Sequence, residues 1–190
     1  MTLCTAFDGH TMIAAGPLVQ VAAATKAAHD AGRAVLVFRD EDARPIDLDL
    51  RGDLEAVLAR LPQEQPQPEP EKRGPGRPKL GVTAREVTLL PRHWDWLASQ
   101  PGGASVALRK LVEAALREAE GPDRMRRSRE AAYRFMTAVA GDLPDYEEAV
   151  RMLFAGDWTA FDARTEAWPV DVRDYAGRLA EPGWRNGQGR

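Results

Sequence analysis

The sequence predicts an α+β protein built from an N-terminal four-stranded sheet with two helices, a Pro-rich linker, a central strand-helix-helix module and a C-terminal small helical bundle. Three observations lead to this prediction. Short β-branched runs alternate with helical patterns before residue 62, a proline-rich stretch interrupts the chain, and helical spacing dominates after residue 124. The predicted parts are 1–61, 62–81, 82–120, 123–180 and a disordered tail at 181–190.

Composition limits the classes of function before any motif is considered. The 190 residues carry a net charge of −3, so the total charge indicates no polyanion partner. No apolar run approaches the roughly 18 residues of a membrane span, and the N-terminus lacks the basic and apolar regions of a signal peptide. The one cysteine, Cys4, suits a reducing cytoplasm and is expected to be a strand residue, not a catalytic thiol. We therefore expect a cytoplasmic protein without membrane contact.

Residues 1–61 are expected to form the small sheet domain. The Asp8-Gly9 pair is a hairpin signal because both residues tolerate positive φ. Pro17 is suited to the first turn of a helix, where its missing N–H costs nothing. The expected order is strand (4–7), strand (11–14), helix (19–30), central strand (34–38), strand (46–50) and helix (54–61).

Evidence for catalysis in this domain is slight. Asp47 and Asp49 alternate onto one face of the predicted fourth strand, where they form either a metal-ligating pair or a solvated face. His10 is most simply a turn residue. No phosphate-binding, zinc-protease or nucleophile-elbow motif occurs in the sequence. We therefore expect no enzyme activity, no metal and no cofactor.

The central region begins with a linker and a basic segment. Residues 62–70 (PQEQPQPEP) favour extended polyproline II and mark a domain boundary. From residue 72 to residue 92, six basic side chains accompany one acid, Glu86. The basic residues are Lys72, Arg73, Arg77, Lys79, Arg85 and Arg92. Such a segment suits contact with double-stranded DNA, and it equally suits a solvated linker flank.

The first part of this segment, KRGPGRPKLG, resembles an AT-hook through its Gly-Arg-Pro core. The resemblance implies that Arg77 enters a narrow, A·T-rich minor groove, where the negative potential is deepest. Pro75 stands where the motif usually has its first arginine. Short basic Pro-Gly motifs also occur in linkers by chance.

The following residues show the element order of a second DNA-binding fold. A strand candidate (84–90), a helix started by Pro91, a Gly-Gly turn and a helix capped by Ser105 follow one another. This order resembles the ribbon-helix-helix fold of bacterial repressors and antitoxins, which implies a homodimer whose paired strands enter the major groove. At the base-reading positions, Arg85 is followed by the apolar Val87 and Leu89, where the family usually has polar or basic side chains. The alternative is a helical hairpin whose strand joins the N-terminal sheet.

Beyond a predicted hinge at residues 118–123, the chain is expected to be helical. Helices at 125–140, 146–155, 158–168 and 170–179 are separated by short turns and predict a compact bundle. Its aromatic side chains are expected to form the core. The arginines between residues 124 and 134 either touch phosphate or pair with nearby acids.

Seven motifs spread over most of the chain resemble an uncharacterised bacterial family, domain-of-unknown-function family 2239. They are TAFDGH, GRPKLGV, REVTLLPRHWDWL, GGASVALRKLVEAA, AAYRFM, AGDLPDYEEA and DVRDYA. The resemblance implies a bacterial, cytoplasmic protein and assigns no functional residue. From the residues themselves we expect a dimeric DNA-binding or regulatory protein. The alternative is a non-enzymatic interaction or dimerisation scaffold.

Overall fold

The structure is a computed structural model that describes residues 2–62, 83 and 85–184. The chain divides into two compact units. The first contains Met1–Gln63 and Gly121–Arg190, and the second contains Glu64–Glu120. Most of the predicted linker and basic arm (62–81) therefore lies outside the described residues.

The first unit contains a small antiparallel sheet. Within residues 2–62, β1 (Leu3–Asp8), β2 (Thr11–Pro17) and β3 (Val35–Arg39) pair in the order β2-β1-β3. Gly9, with φ of 56°, makes the predicted turn between β1 and β2. Helix α1 (Leu18–Asp30) connects β2 to β3, and α2 (Leu54–Arg60) follows. The α+β class is confirmed.

The predicted fourth strand is wrong, because the sheet has three strands. Residues 46–50 form no ladder, and only an isolated bridge joins Phe38 to Pro45. Ile46 and Leu48 still pack against buried side chains of the sheet. The alternating pattern thus set which side chains are buried, but burial of one face does not require a strand partner. As a consequence, β1 is the central strand and β3, predicted to be central, lies at the edge.

The helices of the C-terminal segment are α5 (Tyr146–Ala155), α6 (Trp158–Thr165) and α7 (Val170–Trp184), and the second half of α4 (Gly103–Val139) packs with them. Helix α7 continues through residues 181–184, which were expected in the disordered tail, while 185–190 lie outside the described residues. Gly121 and Pro122 lie inside α4, although a hinge was predicted there. An interior proline costs a helix about 3 kcal/mol, and burial of Ala131, Ala132, Phe135 and Met136 farther along α4 offsets this cost.

One hydrophobic core joins the two segments of the first unit. Phe7 and Phe38 come from the sheet, Phe135 comes from α4 and Tyr175 from α7. The ring of Phe135 lies 5.0 Å from Phe7, 5.3 Å from Phe38 and 4.6 Å from Tyr175, measured between centroids. Residues 1–61 and 123–180 were expected to be separate domains, and instead they share this core. The aromatic residues are far apart in sequence, so no local pattern indicates that they meet.

The second unit contains α3 (Pro91–Ser99) and the first part of α4. Residues 85–90, predicted as a strand, pair with no other strand in the described chain. No helix among the described residues combines the length and the apolar character needed to cross a bilayer.

Candidate functional site

The α3–α4 hairpin contains the two helices of the predicted strand-helix-helix module. Pro91 is the first residue of α3, where a backbone N–H would have no partner within the helix. A turn with positive φ at Gly102 and Gly103 leads into α4. At Gly102 an added Cβ would lie 3.1 Å from the side chain of Val106. Both the backbone conformation and the packing against Val106 therefore favour glycine at residue 102.

Few apolar side chains of this hairpin are buried. Among residues 85–120, Leu97 is 2% exposed and Ala107 is 7% exposed. The large apolar side chains that are at least 40% exposed are Val87, Leu90, Trp94, Trp96, Leu111, Val112 and Leu116. We call this set the hairpin apolar surface. Two buried side chains do not make a hydrophobic core, and short helices owe most of their stability to packing of an apolar face. Within the described residues, the hairpin therefore leaves most of its large apolar side chains uncovered.

The α4 part of this surface follows from helical periodicity. Leu108, Leu111, Val112, Ala115 and Leu116 recur at intervals of three and four residues, which places them on one side of the helix. Leu108 is partly buried, and the other four are exposed. An apolar stripe over two turns of helix is typical of a helix that packs against another element.

Two of the six predicted DNA-binding residues lie in the described part of the chain. Lys72, Arg73, Arg77 and Lys79 lie outside the described residues. Arg85 is exposed in the segment before α3, and Arg92 is exposed in the first turn of α3. The Nε of Arg92 donates to Nε2 of His93 at 3.5 Å. At the other predicted base-reading positions, Val87 is exposed and Leu89 is partly buried.

In the predicted carboxylate pair, Asp49 is paired with two arginines. Asp49 binds the guanidinium of Arg51 at 2.7 Å and lies 3.4 Å from Nε of Arg60. The hydrogen bonds from Arg51 hold the pKa of Asp49 well below its usual value. His10 lies 3.5 Å from Asp142 and not beside Asp47 or Asp49. Within the described residues, no group of three or more His, Cys, Asp or Glu side chains is placed to hold a metal ion.

A polar cluster lies beside the shared core of the first unit. Oδ1 of Asp40 accepts hydrogen bonds from the Thr5 hydroxyl at 2.7 Å and from the Tyr175 hydroxyl at 3.0 Å. A terminal nitrogen of Arg178 lies 3.3 Å from the Thr5 hydroxyl oxygen and 3.9 Å from Oδ1 of Asp40. The guanidinium carbon of Arg178 also lies 4.7 Å from the centre of the Tyr175 ring. We call these four residues the Asp40 cluster.

Burial and charge both act on the ionisable groups near this cluster. Burial, and then the carboxylate of Asp40, raise the pKa of the Tyr175 hydroxyl well above its usual value. Cys4 lies in β1 and is buried, and burial followed by the charge of Asp40 raises the pKa of its thiol. A buried thiol with a raised pKa is a poor nucleophile. The cluster therefore joins the sheet to α7 and leaves Cys4 in its neutral form.

The profile of a family described as uncharacterized proteins conserved in bacteria, domain-of-unknown-function family 2239, matches residues 3–180. The chain belongs to this family. No curated protein and no solved structure gives a significant match.

In this family-2239 chain, sequence reasoning missed the Asp40 cluster. The sequence separation is 35 residues between Thr5 and Asp40 and 135 between Asp40 and Tyr175. The one local signal is Thr5, a polar residue within the otherwise apolar run from Cys4 to Phe7. A buried hydroxyl needs a hydrogen-bond partner, but the sequence does not show which residue supplies it.

Proposed function

We propose that the chain is a DNA-binding or regulatory protein that acts as a homodimer through its ribbon-helix-helix-like α3–α4 hairpin. The basic segment from residue 72 to residue 92 would contact double-stranded DNA. The observation that carries the proposal is the hairpin apolar surface, which begins within the basic segment from residue 72 to residue 92 and continues after it. Among the described residues, the hairpin by itself buries only two apolar side chains, and a basic segment precedes it. A DNA-binding module whose apolar surface is covered by a second copy of the chain would have these properties.

The hairpin apolar surface is large enough to support a dimer. A large apolar or aromatic side chain has roughly 150–250 Å² of surface, and these seven are 40–59% exposed. They therefore expose on the order of 600 Å² per chain. If two copies covered all of it, they would bury at most about 1,200 Å², the lower end of the range for specific interfaces, although Trp94 and Trp96 are two residues apart on α3 and face different directions. Because both copies carry the same surface, a twofold dimer lets each surface cover the other and leaves neither unpaired.

The segment before α3 supports the same arrangement. Residues 85–90 have no strand partner in the described chain, and Leu90 has an extended conformation with φ of −67° and ψ of 150°. In a twofold dimer, this segment can pair with its equivalent in the second copy and so satisfy its backbone groups. That pairing would give the two-stranded ribbon of the resembled fold, with Arg85 on each strand.

Dimerisation also raises the expected affinity for DNA. Each chain has six basic residues between positions 72 and 92, and a dimer brings two such segments to one duplex. Every phosphate that is neutralised releases counterions, so affinity and its salt dependence rise together with the number of contacts. This mechanism needs no base-specific contact and tolerates the apolar side chains of Val87 and Leu89.

The DNA part of the proposal is tested by fluorescence anisotropy on A·T-rich and G·C-rich duplexes. With about six phosphate contacts, affinity should fall roughly a thousandfold between 50 and 200 mM salt. Arg77→Ala should weaken binding to the A·T-rich duplex and reduce the salt slope by about one for each chain that contacts the duplex. Arg117→Ala, an exposed arginine on α4 outside the basic segment, is the control and should bind like the wild type. Absence of binding at the lowest salt concentration would refute DNA binding.

The dimer is tested separately by light scattering coupled to size exclusion. The wild type should have about twice the chain mass of 20.9 kDa. Leu111→Asp places a charge on the hairpin apolar surface and should give a monomer, since an unpaired charge in an interface is strongly unfavourable. Val170→Asp is the control, because Val170 is 58% exposed at the start of α7, where an acid is tolerated. A wild-type monomer at about 100 μM would contradict the proposed dimer, since specific interfaces of this size bind more tightly than that.

The second candidate function is a non-enzymatic dimerisation scaffold. It is favoured by one observation, the apolar Val87 and Leu89 at positions where the resembled fold has polar or basic side chains. In a scaffold, these residues would pack in the interface and the basic arm would serve as a linker. A stable dimer that binds neither duplex at low salt would support this function over the first.

A further inference from the structure

The first unit contains an open cleft of about 540 Å³ between the start of β1, the turn after β3, α4 and α7. Its volume lies within the range of about 300–1,000 Å³ that is usual for small-molecule sites. The charged side chains along it are Asp40, Glu41, Arg124, Arg127 and Arg178, and Leu3 and Leu179 add apolar surface. The three arginines outnumber the two carboxylates, although the chain as a whole is acidic.

Two hydrogen bonds between protein groups hold the walls of the cleft in position. The Ser128 hydroxyl donates to the backbone carbonyl of Ala180 at 2.9 Å and so joins α4 to α7. The Tyr175 hydroxyl donates to Asp40 and joins α7 to the turn after β3. Because these contacts are made between protein groups, the walls of the cleft do not depend on a ligand for their order. Preorganisation of this kind favours affinity.

The carboxylate of Asp40 already accepts hydrogen bonds from protein groups. Its Oδ1 accepts from Thr5 and Tyr175, and Arg178 lies 3.9 Å away. The carboxylate is therefore a poor site for a cation, and Arg178 lies beside it over the ring of Tyr175. The Arg178 side chain is still 53% exposed, so part of its guanidinium group faces solvent.

Arg127, from α4, provides a second guanidinium that lines the cleft. Its Nε donates to the backbone carbonyl of Asp123 at 3.2 Å, which fixes the side chain along α4. No ion pair of Arg127 occurs within residues 2–62 and 85–184. An arginine held at Nε keeps its terminal N–H groups for a planar, two-oxygen partner such as a carboxylate or a phosphate.

We propose that this cleft binds a small organic anion, whose phosphate or carboxylate group is held between Arg127 and Arg178. The apolar side chains of Leu3 and Leu179 would contact the carbon skeleton of the ligand. The site lies in the first unit and does not depend on DNA binding or on the dimer. In a regulatory protein it would be an effector site.

The test uses the full-length chain and two simple probes, inorganic phosphate and succinate, at constant ionic strength. Calorimetry and thermal melting should show saturable binding of at least one probe. The midpoint should rise by roughly 3–6 °C at a ligand concentration ten times the Kd. The two probes distinguish a phosphate site from a carboxylate site. Arg127→Gln should weaken binding by roughly 10- to 100-fold, because it removes hydrogen bonds between charged groups.

The chain offers a matched control in Arg117→Gln. Arg117 is exposed on the same helix, and its Nε donates to the carbonyl of Glu113, four residues earlier, at 3.1 Å. It thus reproduces the geometry of Arg127 outside the cleft and should leave the Kd unchanged. The proposal is overturned if neither probe saturates by about 50 mM, well above a millimolar Kd, or if Arg127→Gln binds like the wild type. The result is independent of the DNA titration, because no DNA is present.

Discussion

Replacing Phe135 by alanine tests the shared core of the first unit. Phe135 is 0% exposed, and its ring meets Phe7 and Phe38 from the sheet as well as Tyr175 from α7. Removing a buried phenyl group costs about 3–5 kcal/mol. The loss of three aromatic contacts favours the upper half of that range. Since 1 kcal/mol changes the midpoint by about 2–4 °C at this size, we expect Tm to fall by about 8–20 °C.

The assay is urea unfolding followed by circular dichroism, supported by a thermal scan. Phe154→Ala is the matched control, because Phe154 is 47% exposed and contacts only the ring of Tyr133, at 5.6 Å, among the described aromatic residues. Its cost should be below about 1.5 kcal/mol. The shared core is refuted if Phe135→Ala costs no more than this control. Separate unfolding of the sheet and of the C-terminal helices would refute it as well.

A double-mutant cycle isolates the contact between the two segments. Phe38→Leu and Phe135→Leu should each destabilise the protein, and the cost of the pair should differ from the sum. A coupling energy of about 0.5–3 kcal/mol is expected for residues in contact. Additive costs would mean that the two rings do not interact, whatever their individual contributions.

Three further predictions concern a helix cap, the interior proline and pH. Asp53→Ala should lower the free energy of unfolding by about 1 kcal/mol, because the Asp53 side chain accepts a hydrogen bond from the N–H of Ala56 at 2.9 Å at the start of α2. An unchanged free energy of unfolding would mean that this cap does not form. Pro122→Ala should raise the free energy of unfolding by about 1–3 kcal/mol, since it restores a backbone donor within α4, and a loss of stability would contradict this reasoning. The folded state raises the pKa of the Tyr175 hydroxyl above its value in the unfolded chain. Folding is therefore favoured while Tyr175 is protonated, below the usual tyrosine pKa of about 10, and this part of the folding free energy is lost as pH rises above that value. Unfolding curves from pH 8 to pH 11 should show this loss in the wild type and a smaller one in Tyr175→Phe.

The elements that depend on neighbouring residues were predicted well from the sequence. The turn at Asp8-Gly9 and the helix at 146–155 occur as expected, and the helix predicted at 19–30 is found at Leu18–Asp30. The signals for these elements, which are turn residues, prolines and the spacing of apolar side chains, act over a few residues. The same local signals located the α3–α4 hairpin and its apolar stripe, from which the proposed dimer follows. The basic segment is likewise a property of the sequence alone.

Tertiary structure decided which elements share a core and which side chains form sites. Residues 46–50 carry a strand-like pattern, yet they are not a strand, because pairing requires a partner that the pattern does not specify. Gly121 and Pro122 have the composition of a hinge, yet packing farther along α4 keeps them helical. Thr5, Asp40 and Tyr175 meet because the sheet and α7 cover the same apolar core. Each of these outcomes depends on contacts between residues distant in the chain, and only the folded chain brings those residues together.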